Sequence, residues 1–308
     1  MALKQLDNSN VSKHLGKSSE YASEYDPSLL VREPRQSNRE HISVADDNLP
    51  FLGNDTWNGY EVTGLTNSGR PIVGVVKFVY PCDSKYIVES KSLKLYFNSF
   101  CMTRLGETEE DVICSIEEKA SKDLSEFLET EVVVRMFSNW EVLNDPTHAM
   151  GEWHYKVNNI DCVNLETVCE DNSIVFDTYT ETPELLEVVD SVGAEFFHSA
   201  LLRSRCRVTS QPDSGDVYIY FKGSKTVTRE SLLKYIVSFR DECHFHEEIC
   251  ETIYTRLLRL LEPDELSVCC LYARRGGWDI NPERVSSSHL LHPMLSDTRV
   301  VHVKTPKQ

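Results

Sequence analysis

Apolar positions along this chain fall into two successions of the same order, divided by polar stretches. The first starts after Trp57: Tyr60 to Leu65, the turn signal Asn67-Ser68-Gly69 and the β-branched run Ile72 to Tyr80 predict a hairpin. Val112, Ile116, Ala120, Leu124 and Phe127 then recur at helical spacing and predict a helix from about Glu109 to Leu128, followed by a short strand from Val132 to Met136. The second succession predicts strands at Cys206 to Ser210 and Val217 to Phe221 around a turn at Pro212-Asp213-Ser214-Gly215. A helix from about Glu247 to Leu261, with Ile249, Ile253, Leu257 and Leu260 on one face, and a strand from Leu266 to Ala273 complete it.

The likeness extends to individual residues. Ser92 to Phe100 (SLKLYFNSF) aligns without gaps with Ser231 to Phe239 (SLLKYIVSF), identical at five of nine positions, at an offset of 139 residues from 92 to 231. Two copies of one strand-strand-helix-helix-strand module are expected, an α+β arrangement. The chain then divides into a polar segment 1–52, a first module 53–186 and a second module 187–308. Residues 1 to about 50 are rich in Ser, Asn, Asp and Glu, with Pro34 and Pro50 as breakers, and read as a flexible arm or a wrapping segment. Ser138 to Leu186 connects the modules, with a further strand expected at Ile174 to Tyr179. Val188 to Leu202 reads equally as helix or strand.

Composition narrows the classes of function. With 40% hydrophobic and 26% charged residues over 308 positions, the chain suits a globular protein of roughly two domains. Its 32 basic side chains stand against 49 acidic ones, and the net charge of −17 argues against general binding to nucleic acid or to an anionic membrane. A phosphate-bearing ligand therefore needs a local basic patch. Met1 to Glu20 has no apolar core of a signal peptide and no run of about 18 apolar residues occurs, so a cytoplasmic protein is expected. The ten cysteines include no Cys-x-x-Cys pair and are expected as reduced thiols, most of them small buried hydrophobes such as Cys114 and Cys250.

Several stretches mix chemistry with burial. Glu89 to Phe100 (ESKSLKLYFNSF) sets an acid and two lysines, Lys91 and Lys94, in a segment otherwise built for a core. Glu89 suits the N–H edge of a heterocycle and the lysines suit phosphate, although a solvated helix face would use the same residues. Cys206 lies among Arg203, Arg205 and Arg207, with Asp213 seven residues on, a pattern for a nucleophilic thiol with an acid/base partner or for an ordinary strand cysteine. Cys243, His244, His246 and Glu247 offer zinc-type ligands at poor spacing; a helix-start histidine suits proton transfer better. Arg274-Arg275-Gly276-Gly277 reads as a phosphate site or a solvated arginine pair. There is no Gly-x-Gly-x-x-Gly after a strand, no P-loop and no Gly-x-Ser-x-Gly elbow, so a nucleotide cofactor would bind outside a Rossmann fold.

Together, ESKSLKLYFNSF, RCRVTSQPDSG, SFRDECHFHEE and YARRGGWDINPER resemble the NADPH-dependent 7-cyano-7-deazaguanine reductases, the nitrile reductases of queuosine biosynthesis, in their long two-module form. LGKSSEYASEYDPSLL and DDNLPFLGNDTW resemble that form's leading segment, so the resemblance runs from about Leu15 to the C-terminus. It implies tandem tunnelling-fold modules, each a four-stranded antiparallel sheet with two helices between its second and third strands. It also implies that Cys206 attacks the nitrile carbon to give a covalent thioimide, with Asp213 as proton donor and His246 assisting proton transfer, and that NADPH delivers two hydrides. Phe245 would pack over the ligand; Glu89, Ser90 and Glu247 would hold the deazaguanine edge. Lys91, Lys94, Arg274, Arg275 and Gly276 would bind NADPH, and no metal is implied. The ESKSLK motif and the Phe-His-Glu triplet lie in different modules, so one site is expected to need both, at an interface within a homodimer. Ser214 and Trp278 depart from the long form's usual pattern and bear on how tightly the pocket closes.

Overall fold

The computed structural model describes residues 24–138, 163–165, 167, 174–207, 210–300 and 308. In chain order the elements are β1 (Arg32–Pro34), α1 (Arg35–Arg39), β2 (Leu52–Thr66), β3 (Pro71–Pro81), β4 (Tyr86–Val88), α2 (Ser90–Ser99), β5 (Arg104–Gly106), α3 (Glu109–Leu128) and β6 (Val133–Ser138). They continue with β7 (Val163–Asn164), β8 (Val188–Ser199), β9 (Arg203–Arg205), β10 (Pro212–Val227), α4 (Arg229–Ser238), α5 (His246–Leu261), β11 (Glu265–Tyr272) and β12 (Trp278–Val285). One sheet runs in the order β6-β3-β2-β12-β11-β10-β8-β7, antiparallel apart from β7 beside β8, and the pairing of β2 with β12 joins the two successions.

The internal repeat persists in three dimensions. Adding the offset of 139 to α2 and its following 3-10 turn (Phe100–Met102) gives α4 and its own turn (Phe239–Asp241), and the N-caps Glu89 and Thr228 correspond in the same way. Both caps accept hydrogen bonds from the first-turn N–H groups, which have no intrahelical partner. The helix predicted over 109–128 is α3, closed by a reciprocal Thr108/Asp111 capping box and by Glu129 in the left-handed region.

One face of the sheet carries the helices. Phe78, Tyr80, Trp57 and Trp278 pack with Leu93, Phe97, Ile116 and Leu124 of α2 and α3, while Ile219, Val268 and Tyr272 pack with Leu232, Ile236, Ile253 and Leu257 of α4 and α5. Alternate residues point the other way. There Phe196, Tyr218, Leu271 and Val285 are covered by Leu290 and Leu295, and Lys77, fully buried, donates to the carbonyls of Met294, Asp297 and Val300 at 2.7, 2.7 and 2.8 Å. Burial lowers the Lys77 ammonium to about 7.

Of the polar leading segment, residues 1–23 lie outside the described residues, and the remainder wraps. Arg35 and Arg39 of α1 are buried and meet Asp55 of β2, Glu251 of α5 and Arg284 of β12: Arg39 binds both Glu251 oxygens at 2.8 Å, and Arg284 reaches Glu251 at 2.8 Å and Asp55 at 2.9 Å. Burial pushes Glu251 up, but Arg284, Arg39 and Arg35 outweigh it and bring the carboxyl to about 2. A segment that reads as surface is thus a structural ligand of the core.

Three expectations are corrected. Pro212 to Gly215 is the start of β10, not a turn: Pro212 sits where a strand tolerates a missing N–H, and Asp213 pairs with Ser204 of β9. The reversal lies earlier, between Cys206 and Gln211, closed by Cys206 N–H to the Gln211 carbonyl at 2.8 Å and Ser210 N–H to the Cys206 carbonyl at 2.8 Å; Val208 and Thr209 of the expected strand lie outside the described residues. Ile174 to Tyr179 forms no strand: Phe176 packs against the core from an irregular segment, and no sheet partner is paired with it among the described residues. Cys114 is exposed on α3, one position beyond the buried face of Val112, Ile113 and Ile116, whereas Cys250 is buried as expected. The undecided segment 188–202 resolves as β8 followed by a short connection into β9.

Candidate active site

The N-termini of α2 and α5, one from each half of the chain, converge over the β2–β12 seam. Seen from the sheet, Trp278 and Ile280 form the floor. Opposite Trp278 the chain has Gly59, and a Cβ there would lie 2.4 Å from the indole, so the glycine makes room for the ring. Ser90, Lys91 and Lys94 descend from α2, His246 from α5, Asp213 from β10, Cys206 from the preceding reversal, and Tyr272, Ala273 and Arg275 from the end of β11 and the turn after it. The resulting cleft has about 410 Å³ of empty space. A second lobe of about 330 Å³ shares Ser90, Cys206, Asp213, His246 and Ile280 and adds Trp57, Val88, Glu89, His244, Phe245 and Glu247. Cys206 and His246 therefore stand between a cationic lobe and an acidic one, and a single chain supplies both.

In the acidic lobe Glu89 uses one carboxylate oxygen to cap α2, accepting from the N–H groups of Lys91 (2.9 Å) and Ser92 (2.8 Å). Its other oxygen is 3.8 Å from Lys91 Nζ. Glu247, 4% exposed, has Oε1 buried without a hydrogen-bond partner. Burial and the neighbouring Asp55 raise its carboxyl well above the usual range. An unpaired buried acceptor of this kind costs stability unless a ligand donates to it.

The cationic lobe has the complementary deficit. Lys94 makes no hydrogen bond or ion pair with any described residue, and burial together with Lys91 and Arg275 lowers its ammonium to about 8. Arg275 donates to Asp213 and to Gln211, clamping the exit of the reversal that carries Cys206. Lys91 Nζ lies 3.5 Å from Cys206 Sγ. His246 Nε2 is 3.8 Å from Asp213, and its ring packs edge-on against Tyr272 at 4.1 Å. Burial, aided by Lys94, Arg275 and Lys91, takes the imidazole down to about 4 despite Asp213, so it is neutral near pH 7.

The residues next in sequence do something different. Arg207 turns away from the cleft and donates to both Glu248 oxygens at 2.8 Å and to Asn38 at 2.5 Å. Glu248 also accepts from the Phe245 N–H (3.2 Å) and contacts His244 Nδ1 (2.8 Å). Arg207 thereby ties the cysteine loop to the start of the helix that carries Phe245, His246 and Glu247. Burial pulls His244 down, but Glu242 and Glu248 prevail and raise it to about 9. Among the described residues, the histidine and carboxylate group with ligand atoms within 4.8 Å is His41, His244 and Glu248, with Arg207 already on the carboxylate; Cys243, His244 and His246 do not form such a group.

Of the expected cofactor residues, Lys91, Lys94 and Arg275 line the cleft. Gly276, at φ +56°, lines an adjoining groove with Lys94, Glu61, Asn98 and Trp278. Arg274 stacks on Tyr60 at 3.6 Å and is not among the residues lining the cleft. Sequence reasoning passed over Tyr272, Ile280 and Gln211; the alternation Trp278, Ile280 after a Gly-Gly turn was the available signal for the first strand residues of the floor.

Comparison with known proteins decides the family. Residues 21–136 match the profile described as "Nitrile reductase, 7-cyano-7-deazaguanine-reductase N-term", and residues 212–289 match that of a "QueF-like protein". The chain is 39% identical over 282 residues to the NADPH-dependent 7-cyano-7-deazaguanine reductase of Colwellia psychrerythraea, covering 90% of this chain and 91% of that one. It is 38% identical over 297 residues to the enzyme of the same name from Hahella chejuensis, covering 96% and 97%. The chain belongs to the NADPH-dependent 7-cyano-7-deazaguanine reductases. It is accordingly an NADPH-dependent oxidoreductase of the nitrile-reductase family. The unpartnered Lys94 and the glycine-lined groove beside it fit a phosphate-bearing cofactor of this kind in this reductase. No helix among its described residues is long and apolar enough to cross a membrane.

Proposed function

We propose that the cleft reduces 7-cyano-7-deazaguanine to 7-aminomethyl-7-deazaguanine through a covalent thioimide on Cys206, a step of queuosine biosynthesis. The observation that carries this reading is the position of Cys206 between two opposite deficits: a buried acceptor at Glu247 without a donor, and a half-buried cation at Lys94 without a hydrogen-bond or ion-pair partner among the described residues. A deazaguanine edge supplies N–H donors to Glu247 and Glu89, with Ser90 beside them and Phe245 over the ring. That places the nitrile at Cys206.

Sulfur adds to the nitrile carbon, forming the C–S bond; the π pair moves to nitrogen, which takes a proton from Asp213. NADPH, when bound, would supply the two hydrides that carbon takes in succession. After the first, the C–S bond breaks as nitrogen's lone pair forms the imine, and the thiolate is released; the second gives the amine. Neutral His246 passes protons between Asp213 and nitrogen, which an imidazole already charged would not accept. Lys91, Lys94, Arg274, Arg275 and Gly276 would hold the cofactor through its phosphates. Two NADPH and two protons are consumed per nitrile.

The two halves are read as tandem tunnelling-fold modules, 53–186 and 187–308, behind the wrapping segment 1–52. The same reading makes the enzyme a cytoplasmic homodimer that takes a free base and not a nucleic acid. Exposed Val188, Val189 and Val192 on β8 give a second copy an apolar strand to cover. Purified protein with the nitrile tests the function: absorbance at 340 nm should fall by two NADPH for each aminomethyl product. No NADPH oxidation with the nitrile present would refute it.

A further inference from the structure

We infer that Trp57 is a specificity-determining residue of the acidic lobe, its indole N–H donating to the ring carbonyl oxygen of the deazaguanine. The inference rests on the proposed function, which places that heterocycle in the lobe. Trp57 lies on β2, paired with Ile280 of β12, and its ring stacks on Phe78 with centroids 5.6 Å apart and planes at 17°. The residue is 1% exposed, and its Nε1 is buried without a hydrogen-bond partner. A buried indole N–H ordinarily finds an acceptor, and leaving it unmet costs stability. Glu247 Oε1 is an unmet acceptor in the same lobe. The two do not satisfy each other, so the lobe offers one donor and one acceptor to the molecule that fills it.

The other donors confined to this lobe are already engaged. His244 has Glu242 on Nε2 at 3.0 Å and Glu248 on Nδ1 at 2.8 Å, and the Phe245 N–H goes to Glu248 at 3.2 Å. Ser90, Cys206, Asp213 and His246 are shared with the cationic lobe. Trp57 is thus the unspent side-chain donor that belongs to the acidic lobe alone among the described residues. The six-membered ring of a deazaguanine carries its carbonyl oxygen next to a ring N–H, an acceptor beside a donor. With the ring N–H on Glu247, the neighbouring oxygen meets Trp57. Stacked on Phe78 and held in the sheet, the indole is fixed before the ligand arrives, so the bond needs little side-chain ordering. A ligand with a poorer acceptor at that position leaves the N–H buried and unmet, which turns one hydrogen bond into selectivity.

The test compares 7-deazaguanine with 6-thio-7-deazaguanine, which keeps the ring N–H but replaces the oxygen by a weakly accepting sulfur; neither carries a nitrile, so no covalent step enters. Calorimetry on wild type should show the oxo compound bound about tenfold or more tighter than the thio compound. Trp57→Phe keeps an aromatic ring against Phe78 and removes the N–H; it should weaken the oxo compound about tenfold and the thio compound by less than about threefold, with a cooperative thermal transition reporting that the variant is folded. A second measurement needs no variant: of the four tryptophans, one indole Nε1–H resonance of nitrogen-labelled protein should move downfield when 7-deazaguanine binds, and less with the thio compound. Equal weakening of both compounds in Trp57→Phe, weakening of neither, or indole resonances unmoved by the oxo compound overturns the inference. Failure of wild type to bind either compound overturns the placement of the heterocycle in the lobe and the role of Trp57 with it. Trp57-dependent preference for the oxo compound in a protein that leaves NADPH unoxidised with the nitrile would refute the proposed reduction and leave this inference standing.

Discussion

Glu247→Gln should make the protein more stable and a worse binder. In the folded protein the carboxyl is buried beside Asp55, Oε1 has no partner, and its proton is held up to about 8. Unfolded, the same group ionises near 4.5. Between those values the fold binds a proton that the unfolded chain does not, so stability falls as pH rises through this window. At pH 7 the gap of about 2.5 units corresponds to about 3 kcal/mol of destabilisation, taking roughly 1.4 kcal/mol per unit. Glutamine keeps the shape and removes the ionisation. Urea unfolding should therefore show the variant gaining on wild type as pH rises from about 5 to 8, by up to about 3 kcal/mol. Above about pH 8, where the carboxyl is ionised, binding of the deazaguanine ligand should move the other way, because a charge-assisted hydrogen bond of about 1.5–3 kcal/mol is replaced by a weaker one; the expected loss there is roughly tenfold to a hundredfold in Kd. Equal stability of the two proteins at pH 8, or an unchanged Kd, would refute the assignment of Glu247 as a strained acceptor awaiting substrate.

The two histidines flanking Phe245 should titrate in opposite directions: imidazole NMR should give midpoints near 4 for His246 and near 9 for His244, and two midpoints near 6.5 would contradict the burial and ion-pair argument. In linkage terms His246 removes stability as pH falls from about 6.5 towards 4, while His244 adds stability that is lost as pH rises from about 6.5 through 9. Arg39→Ala should lower stability by about 3 kcal/mol in chemical denaturation, since it strips two bonds from a buried carboxylate; a change below about 0.5 kcal/mol would make the wrapping segment ornamental. Gly59→Ala should push Trp278 into the cleft, costing about 1–3 kcal/mol and raising the KM for NADPH more than it lowers kcat; unaltered kinetics would remove Trp278 from the cofactor side.

The long helices were legible because their burial is one-sided and their ends are chemically marked, as Thr108 and Asp111 mark α3. The repeat was legible for the same reason, with the offset between α2 and α4 preserved to the residue. Arg35, Arg39, Asp55 and Arg284 were not, because a charged side chain reads as surface until its partners, over 200 residues distant in the case of Arg39 and Glu251, are known. Proline, aspartate and glycine at 212–215 carry turn signals, yet Gly215 is there because a Cβ would lie 2.9 Å from the Leu271 carbonyl of the next strand. In the site, residue types pointed to Cys206, Asp213 and His246. Their arrangement did not follow from spacing: Lys91 on the sulfur, Arg275 on Asp213 and Arg207 on Glu248 depend on two halves meeting across β2 and β12.

In the proposed mechanism the Cys206 sulfur bonds to the substrate carbon. Intact mass of the wild type after incubation with 7-cyano-7-deazaguanine, without NADPH, should show one added nitrile, mapped by peptide digestion to Cys206 and missing from Cys206→Ala. Equal adduct in both proteins, or none in a wild type that still reduces the nitrile, would contradict it.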